Sequence, residues 1–200
     1  MSDRIGLRER KKRRTKQALI EAAIRLFDEK GYDSTTVAEI AAAAEVSPAT
    51  FFNYFAAKDE VVFADDVLYD GLLQEAFAGR SADEQPEDLL LRTIRQLSTA
   101  DAWSFPFDHE LTRIRARLIA TVPALRAGAL LRNASLQQRL AHALREAYPA
   151  ELDALHAAAL TGALVGAIDA AMHSDLDGTD REPTTEAVLQ AAEIALRGRR

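Results

Sequence analysis

The sequence contains no cysteine, so neither a disulfide framework nor a thiolate metal site is open to it. Aromatic residues make up only 6% of its 200 residues, and Gly and Pro number nine and six. Few residues can therefore interrupt a helix, and no long stretch alternates apolar and polar side chains between turn signals. A strand-based fold is excluded in favour of an all-α one. No apolar leader is seen either, since Asp3, Arg4 and Arg8 stand where a signal peptide would be hydrophobic. The longest apolar run, "HAAALTGALVGAIDAAM" at 156–172, is short and interrupted by Thr, Gly and Asp, so it reads as a buried helix and not a membrane span. These features together fit a cytoplasmic protein with no membrane partner.

What the chain does have is 48% hydrophobic residues, enough for a sizeable core, and an uneven charge. Residues 1–16 hold eight Lys and Arg against Asp3 and Glu9, whereas the whole chain carries a net charge of −6. A basic segment thus precedes an acidic body. Attraction to phosphate depends on charge within roughly 8–10 Å, so the overall acidity does not exclude a nucleic-acid partner. Breakers at 30–36, 45–48, 78–86, 103–107, Pro123, 148–151 and 173–186 leave room for about nine helices. The first spans about 8–30 and is closed by Gly31, and Thr35 or Thr36 caps a short helix at 37–44. Ser47, with Pro48 behind it, caps a second short helix after three residues, and one long helix follows over 57–77. Later helices fall near 86–100, 107–122, 124–147, 150–173 and 184–197.

The scarce aromatics concentrate in "FFNYF", with four rings at Phe51, Phe52, Tyr54 and Phe55. At 100° per residue, Phe51, Phe55 and Lys58 follow one another along one face, which makes the two Phe rings core residues. Phe52 and Asn53 lie on the flank shared with Pro48 and Ala49 and look outward. A long helix, then two short ones joined by a three-residue turn, is the skeleton of a helix-turn-helix. In that setting Phe52 can touch a thymine methyl and Asn53 can pair with an adenine edge.

The stretch "ALIEAAIRLFDEKGYDSTTVAEIAAAAEVSPATFFNYFAAKDEV" resembles the tetracycline-repressor (TetR) family of bacterial transcription regulators. The resemblance rests on Ile20, Ala23, Leu26, Phe27, Gly31, Thr36, Ile40, Ala41, Val46, Ser47, Tyr54, Phe55 and Lys58. It implies a DNA-binding head at 1–56 and a ligand-binding, dimerising body at 57–200. Thr36, Ser47, Thr50, Tyr54 and Lys58 would meet phosphates, and Pro48, Ala49, Phe52 and Asn53 would face bases. Lys11, Lys12, Arg13 and Arg14 belong to a basic N-terminal arm at 8–16, which by charge alone could be a solvated tail and by the resemblance would run along the backbone or enter a minor groove. Two positions depart from the family pattern: Glu45 stands in the turn where Gly is common, and Phe52 replaces a frequent Tyr.

In the body, Ala159, Gly162, Ala163, Gly166 and Ala170 recur at spacings of three and four, and Val188 and Ala192 match them on the last helix. Small side chains let helix backbones approach closely, so these residues read as a seam of four helices between two copies, or as a seam inside one chain. Trp103, Phe105 and Phe107 flank Pro106 and are candidates to line a ligand site. Arg113 and Arg117, one turn apart, could meet an anionic group, or could simply form a solvated face. The stretch 113–132 resembles the branch related to the mycofactocin regulator, which implies an acyl-CoA-like effector. The expected partners are therefore operator DNA, a second copy and that effector, with the protein acting in the nucleoid as a repressor. A TetR-like activator, or a helical interaction module without an effector, is the alternative. Pairs such as His142 with Glu146 and Asp169 with His173 lack a third metal ligand, and there is no Gly-rich phosphate loop or nucleophile elbow. No enzyme chemistry, metal or cofactor is expected.

Overall fold

In the computed structural model, which describes residues 2–99, 104–106, 109–173 and 184–198, every regular element is helical. The described residues form nine α-helices in two compact units, Met1–Asp65 and Asp66–Arg200. Residues 57–65 thus lie in the first unit.

The first unit contains α1 (Ser2–Lys30), α2 (Val37–Ala43), α3 (Pro48–Phe52) and a 3₁₀ turn (Asp59–Val61). Its core gathers Leu19, Ile20, Ala23, Ile24 and Phe27 of α1 with Ile40, Ala41, Phe51, Phe55, Val61 and Val62. α1 stops where Gly31 takes φ +86°, a conformation Gly adopts without a Cβ clash. At its other end α1 reaches back to Ser2, so the basic segment is helical and not a separate arm. The expected helix over 57–77 is also divided, into the 3₁₀ turn and α4 (Asp66–Ala78). No Gly or Pro announces that break.

The second unit continues with α5 (Pro86–Ser98), α6 (Glu110–Thr121), α7 (Pro123–Ala147), α8 (Ala154–His173) and α9 (Thr185–Arg197). Pro86 and Pro123 each open a helix at its first turn, where the missing N–H costs nothing. α5 buries Leu89, Leu90, Leu91, Ile94 and Leu97 in a core shared with Leu140, Leu144 and Tyr148 of the α7 end, Ala157, Leu164 and Val165 of α8, and Val188 and Ala192 of α9. Each such Leu or Ile contributes about 1.5–3 kcal/mol through burial, as an upper estimate. Two polar ties cross this core. Arg92 donates to Glu84 at 2.7 and 2.8 Å and to the Ala76 carbonyl at 3.1 Å, and the Tyr148 hydroxyl donates to the Glu84 carbonyl at 2.8 Å. The first of these holds Glu84 below the usual carboxylate range, chiefly through the Arg92 hydrogen bond.

α8 differs from the expected buried helix. Ala157, Thr161, Leu164 and Val165 face the core, whereas Leu155, Ala159, Ala163 and Gly166 are exposed. Over Ala154–Met172 it is also long and apolar enough, by length and composition, to cross a membrane, contrary to the reading of this run as too short. Val188 and Ala192, expected on a seam between copies, are 2% and 0% exposed and belong to the chain's own core. Small residues at helical spacing fit either setting, and here α9 places these two inward.

Candidate nucleic-acid interface

Two short helices meet at a turn built around Glu45. Ala44 ends α2, the Glu45 N–H donates to the Ala42 carbonyl at 3.0 Å, and the Val46 N–H donates to the Ala41 carbonyl at 2.9 Å. This pair of bonds is a Schellman motif, which requires a left-handed residue in the Glu45 place. Glu45 accordingly has φ +55°, although it carries a Cβ. The family's Gly would sit there without strain.

Each short helix is capped by its own sequence. Thr36 accepts from the Glu39 N–H at 3.3 Å, and the Glu39 carboxylate accepts from the Thr36 N–H at 2.9 Å, a capping box. The Thr36 hydroxyl donates to that carboxylate as well, and Lys30 pairs with Glu39 from the end of α1. The Glu39 carboxyl is lowered to about 2, first by the Lys30 hydrogen bond and then by the Thr36 backbone and hydroxyl. Ser47 accepts from the Thr50 N–H at 3.1 Å, and the two hydroxyls lie 2.9 Å apart, so α3 starts at Pro48.

α3 is anchored by one face and open on the other. Phe51 is fully buried and Phe55 is 4% exposed, with ring centroids 5.5 Å apart. Phe52 is 56% exposed and meets Phe51 edge-on at 5.5 Å, and Pro48, Ala49 and Asn53 are exposed beside it. Asn53 caps the C-terminus of α3, and Tyr54 is half-buried. The seated rings thus hold a small outward surface with one amide and one large apolar side chain.

A dense positive charge belongs to the same compact unit as this surface. Lys11, Lys12, Arg13 and Arg14 are exposed on α1, as are Arg8 and Arg10. Among the described residues these six form no ion pair. Six like charges within seven residues repel one another, so an anion would stabilise this stretch. Lys16, next along, donates to the Ala64 carbonyl at 2.9 Å. Lys58 is likewise engaged, donating to the Tyr32 and Thr35 carbonyls.

The expected ligand residues are only partly brought into view. Trp103 and Phe107 lie outside the described residues. Phe105 is buried and stacks on His109 at 5.1 Å, and His109 accepts from the Leu111 N–H at 3.1 Å to cap α6. Arg113 is half-buried and Arg117 exposed, both on α6. Asp169 is bound by Arg126 at 3.0 and 3.2 Å and by Asn133 at 3.1 Å, so its side chain serves a polar tie between α7 and α8. His142 and Glu146 are an exposed pair 3.4 Å apart.

A three-residue turn between capped helices, a second helix seated by aromatic rings with its other side open, and a cationic first helix are the parts of a helix-turn-helix head. Residues 19–64 match the model for bacterial regulatory proteins of the tetR family, and residues 84–199 match the MftR C-terminal domain. The chain belongs to the tetR family. It is 36% identical over 150 residues to the HTH-type transcriptional regulator TcmR of Streptomyces glaucescens, covering 74% of this chain and 66% of that one. To the regulator BetI of Rhizobium meliloti it is 32% identical over 90 residues, covering 44% of each. The chain thus spans less than two thirds of the length of these relatives, which are transcription regulators and not enzymes. The fold also matches FadR of Bacillus subtilis in complex with stearoyl-CoA, with a TM-score of 0.58 at 17% identity over 92% of this chain and 98% of that one. The Thermus thermophilus repressor FadR in complex with lauroyl-CoA gives a TM-score of 0.52 at 22% identity, over 92% and 94%.

Proposed function

We propose that the protein is a homodimeric repressor whose two heads dock into successive major grooves of a palindromic operator and leave it when an amphiphilic effector of the acyl-CoA type binds the body. The observation that carries this reading is the outward face of α3, where Phe52 and Asn53 stand exposed on a helix held from behind by Phe51 and Phe55. Pro48, Ala49, Phe52 and Asn53 would read bases, and Thr36, Ser47, Thr50 and Tyr54 would meet phosphates. The α1 cations would add phosphate contacts independent of sequence. The site of action is then the cytoplasm, on the nucleoid.

The exposed apolar strip of α8, with Leu155 at 74% and Ile194 of α9 at 50% exposure, supports self-association. Ala159, Gly162, Ala163, Gly166 and Ala170 would form its close-packed part. The acyl-CoA class is supported by the MftR-type body and by the two FadR proteins solved with fatty acyl-CoAs. Trp103, Phe105 and Phe107 would contact the chain, and Arg113 or Arg117 the anionic head. α4 begins at Asp66, apart from the 3₁₀ turn at Asp59–Val61, so a signal from the effector would pass through two successive helical segments. A gel-shift titration tests the reading: operator-bound protein should be released by long-chain acyl-CoA, and Arg113→Ala with Arg117→Ala should blunt release while ligand-free affinity stays. Retention on DNA at every chain length would remove the effector assignment.

A further inference from the structure

The ammonium of Lys58 is committed inside the head. It donates to the Tyr32 carbonyl at 2.7 Å and the Thr35 carbonyl at 3.2 Å, and it stands 4.2 Å from the centroid of the Tyr32 ring. An ammonium has three donors, and two of these are taken by backbone oxygens while the ring adds a cation–π contact. The side chain is half-buried, unlike the exposed cations of α1. Both carbonyls lie in the turn from α1 to α2.

That turn is pinned from its other side as well. The Thr35 hydroxyl donates to the Gly31 carbonyl at 2.8 Å, with the Leu26 carbonyl at 3.2 Å, and Thr35 is 1% exposed. Tyr32 packs on Phe27 with ring centroids 5.1 Å apart. Thr35 therefore fixes the turn to α1, and Lys58 fixes it to the segment that follows α3. The residue after Thr35 is Thr36, which caps α2.

We propose that Lys58 is a positioning residue for DNA recognition and not a phosphate contact: by tying the α1–α2 turn to the chain beyond α3, it sets the relation of Thr36 to Tyr54. This rests on the reading of the head as the DNA-binding unit. To turn its ammonium to a phosphate this lysine would have to release both carbonyls, of which that of Tyr32 would keep only the Thr35 N–H at 3.3 Å. A lysine that neutralises a phosphate has a different signature, because its removal lowers the slope of log affinity against log salt by about 0.9.

The test compares Lys58→Met and Lys58→Arg in the full chain, on operator and on random duplex, across a range of salt. Arg keeps the charge but presents a planar fork that does not reproduce a tetrahedral ammonium between two carbonyls. Both variants should weaken operator binding by about tenfold or more while leaving the salt slope unchanged. Tyr32→Leu, which removes the ring and leaves both carbonyls, should move the same way with a smaller effect. A slope lowered by about 0.9 in Lys58→Met and restored in Lys58→Arg would overturn the proposal, as would full operator affinity in all three variants. Failure of the unsubstituted chain to prefer operator over random duplex would instead overturn the DNA-binding reading on which it stands.

Discussion

Replacing Glu45 with Gly should stabilise the head. An L-residue in the left-handed region costs roughly 1–2 kcal/mol, and the greater freedom of Gly in the unfolded chain takes back roughly 0.5–1 kcal/mol. At the midpoints of these ranges the net gain is about 0.75 kcal/mol. Glu45 is exposed at φ +55° and its carboxylate makes no hydrogen bond or ion pair among the described residues, so little goes with its removal. The assay is hydrogen exchange in the full chain, read at the α1 core amides near Leu19 to Phe27, which are buried and report opening of the head. Their exchange should slow by roughly two- to fivefold, since 1.4 kcal/mol corresponds to a factor of about ten. Glu45→Ala is the control, because it removes the carboxylate but keeps the Cβ that causes the strain. If Ala slows exchange as much as Gly, or if Gly does not slow it, the strain argument is refuted.

Replacing Lys11, Lys12, Arg13 and Arg14 with Ala should weaken binding to all duplexes alike and reduce the salt slope by about 0.9 for every phosphate that these side chains neutralise, and an unchanged slope would make the basic helix a bystander. Asn53→Ala should cost about 1–3 kcal/mol on the operator and little on random DNA, whereas equal costs on both would assign it to positioning. A Cβ added at Gly162 or Gly166 meets nothing within 4 Å in the chain itself, so Gly162→Leu and Gly166→Leu should fold normally and lower the dimer population in sedimentation. An intact dimer in both would place the interface elsewhere. The Glu39 carboxyl is lowered from its ordinary 4.5 to about 2, so the stability it contributes is present above 4.5 and lost as pH falls through about 2. Urea titrations should show this decline between those values, made shallower in Glu39→Gln while the part due to Glu84 remains; an identical pH profile in the variant would deny the Lys30–Glu39–Thr36 cluster that role.

Much of the head was legible because its local chemistry is unambiguous. Ser47 is a cap with its partner three residues on, Pro48 opens α3 and Gly31 stops α1, while of the two adjacent candidates Thr36 caps α2 and Thr35 bonds back to Gly31. The burial of Phe51 and Phe55 and the exposure of Phe52 followed from helical spacing alone. Spacing failed where it is silent about tertiary setting. Val188 and Ala192 are small residues at seam-like intervals, yet α9 turns them into its own core, and only packing against α5 and α8 distinguishes the two cases. The break between Val61 and Asp66 has no breaker residue, and continuous helix formers hid it. For Lys58 the resemblance implied a phosphate contact, and a sequence does not display the Tyr32 and Thr35 carbonyls to which its ammonium donates.

The central claim is that the head recognises a defined DNA sequence as one half of a symmetric pair. Selection of bound genomic fragments by the full chain, followed by footprinting on the best of them, tests it most directly. The account predicts a palindrome with two protected half-sites centred about one helical turn, 10–10.5 base pairs, or a multiple of it apart, and loss of the preference in Asn53→Ala. Protection of a single unrepeated site, or equal recovery of all sequences, would contradict it.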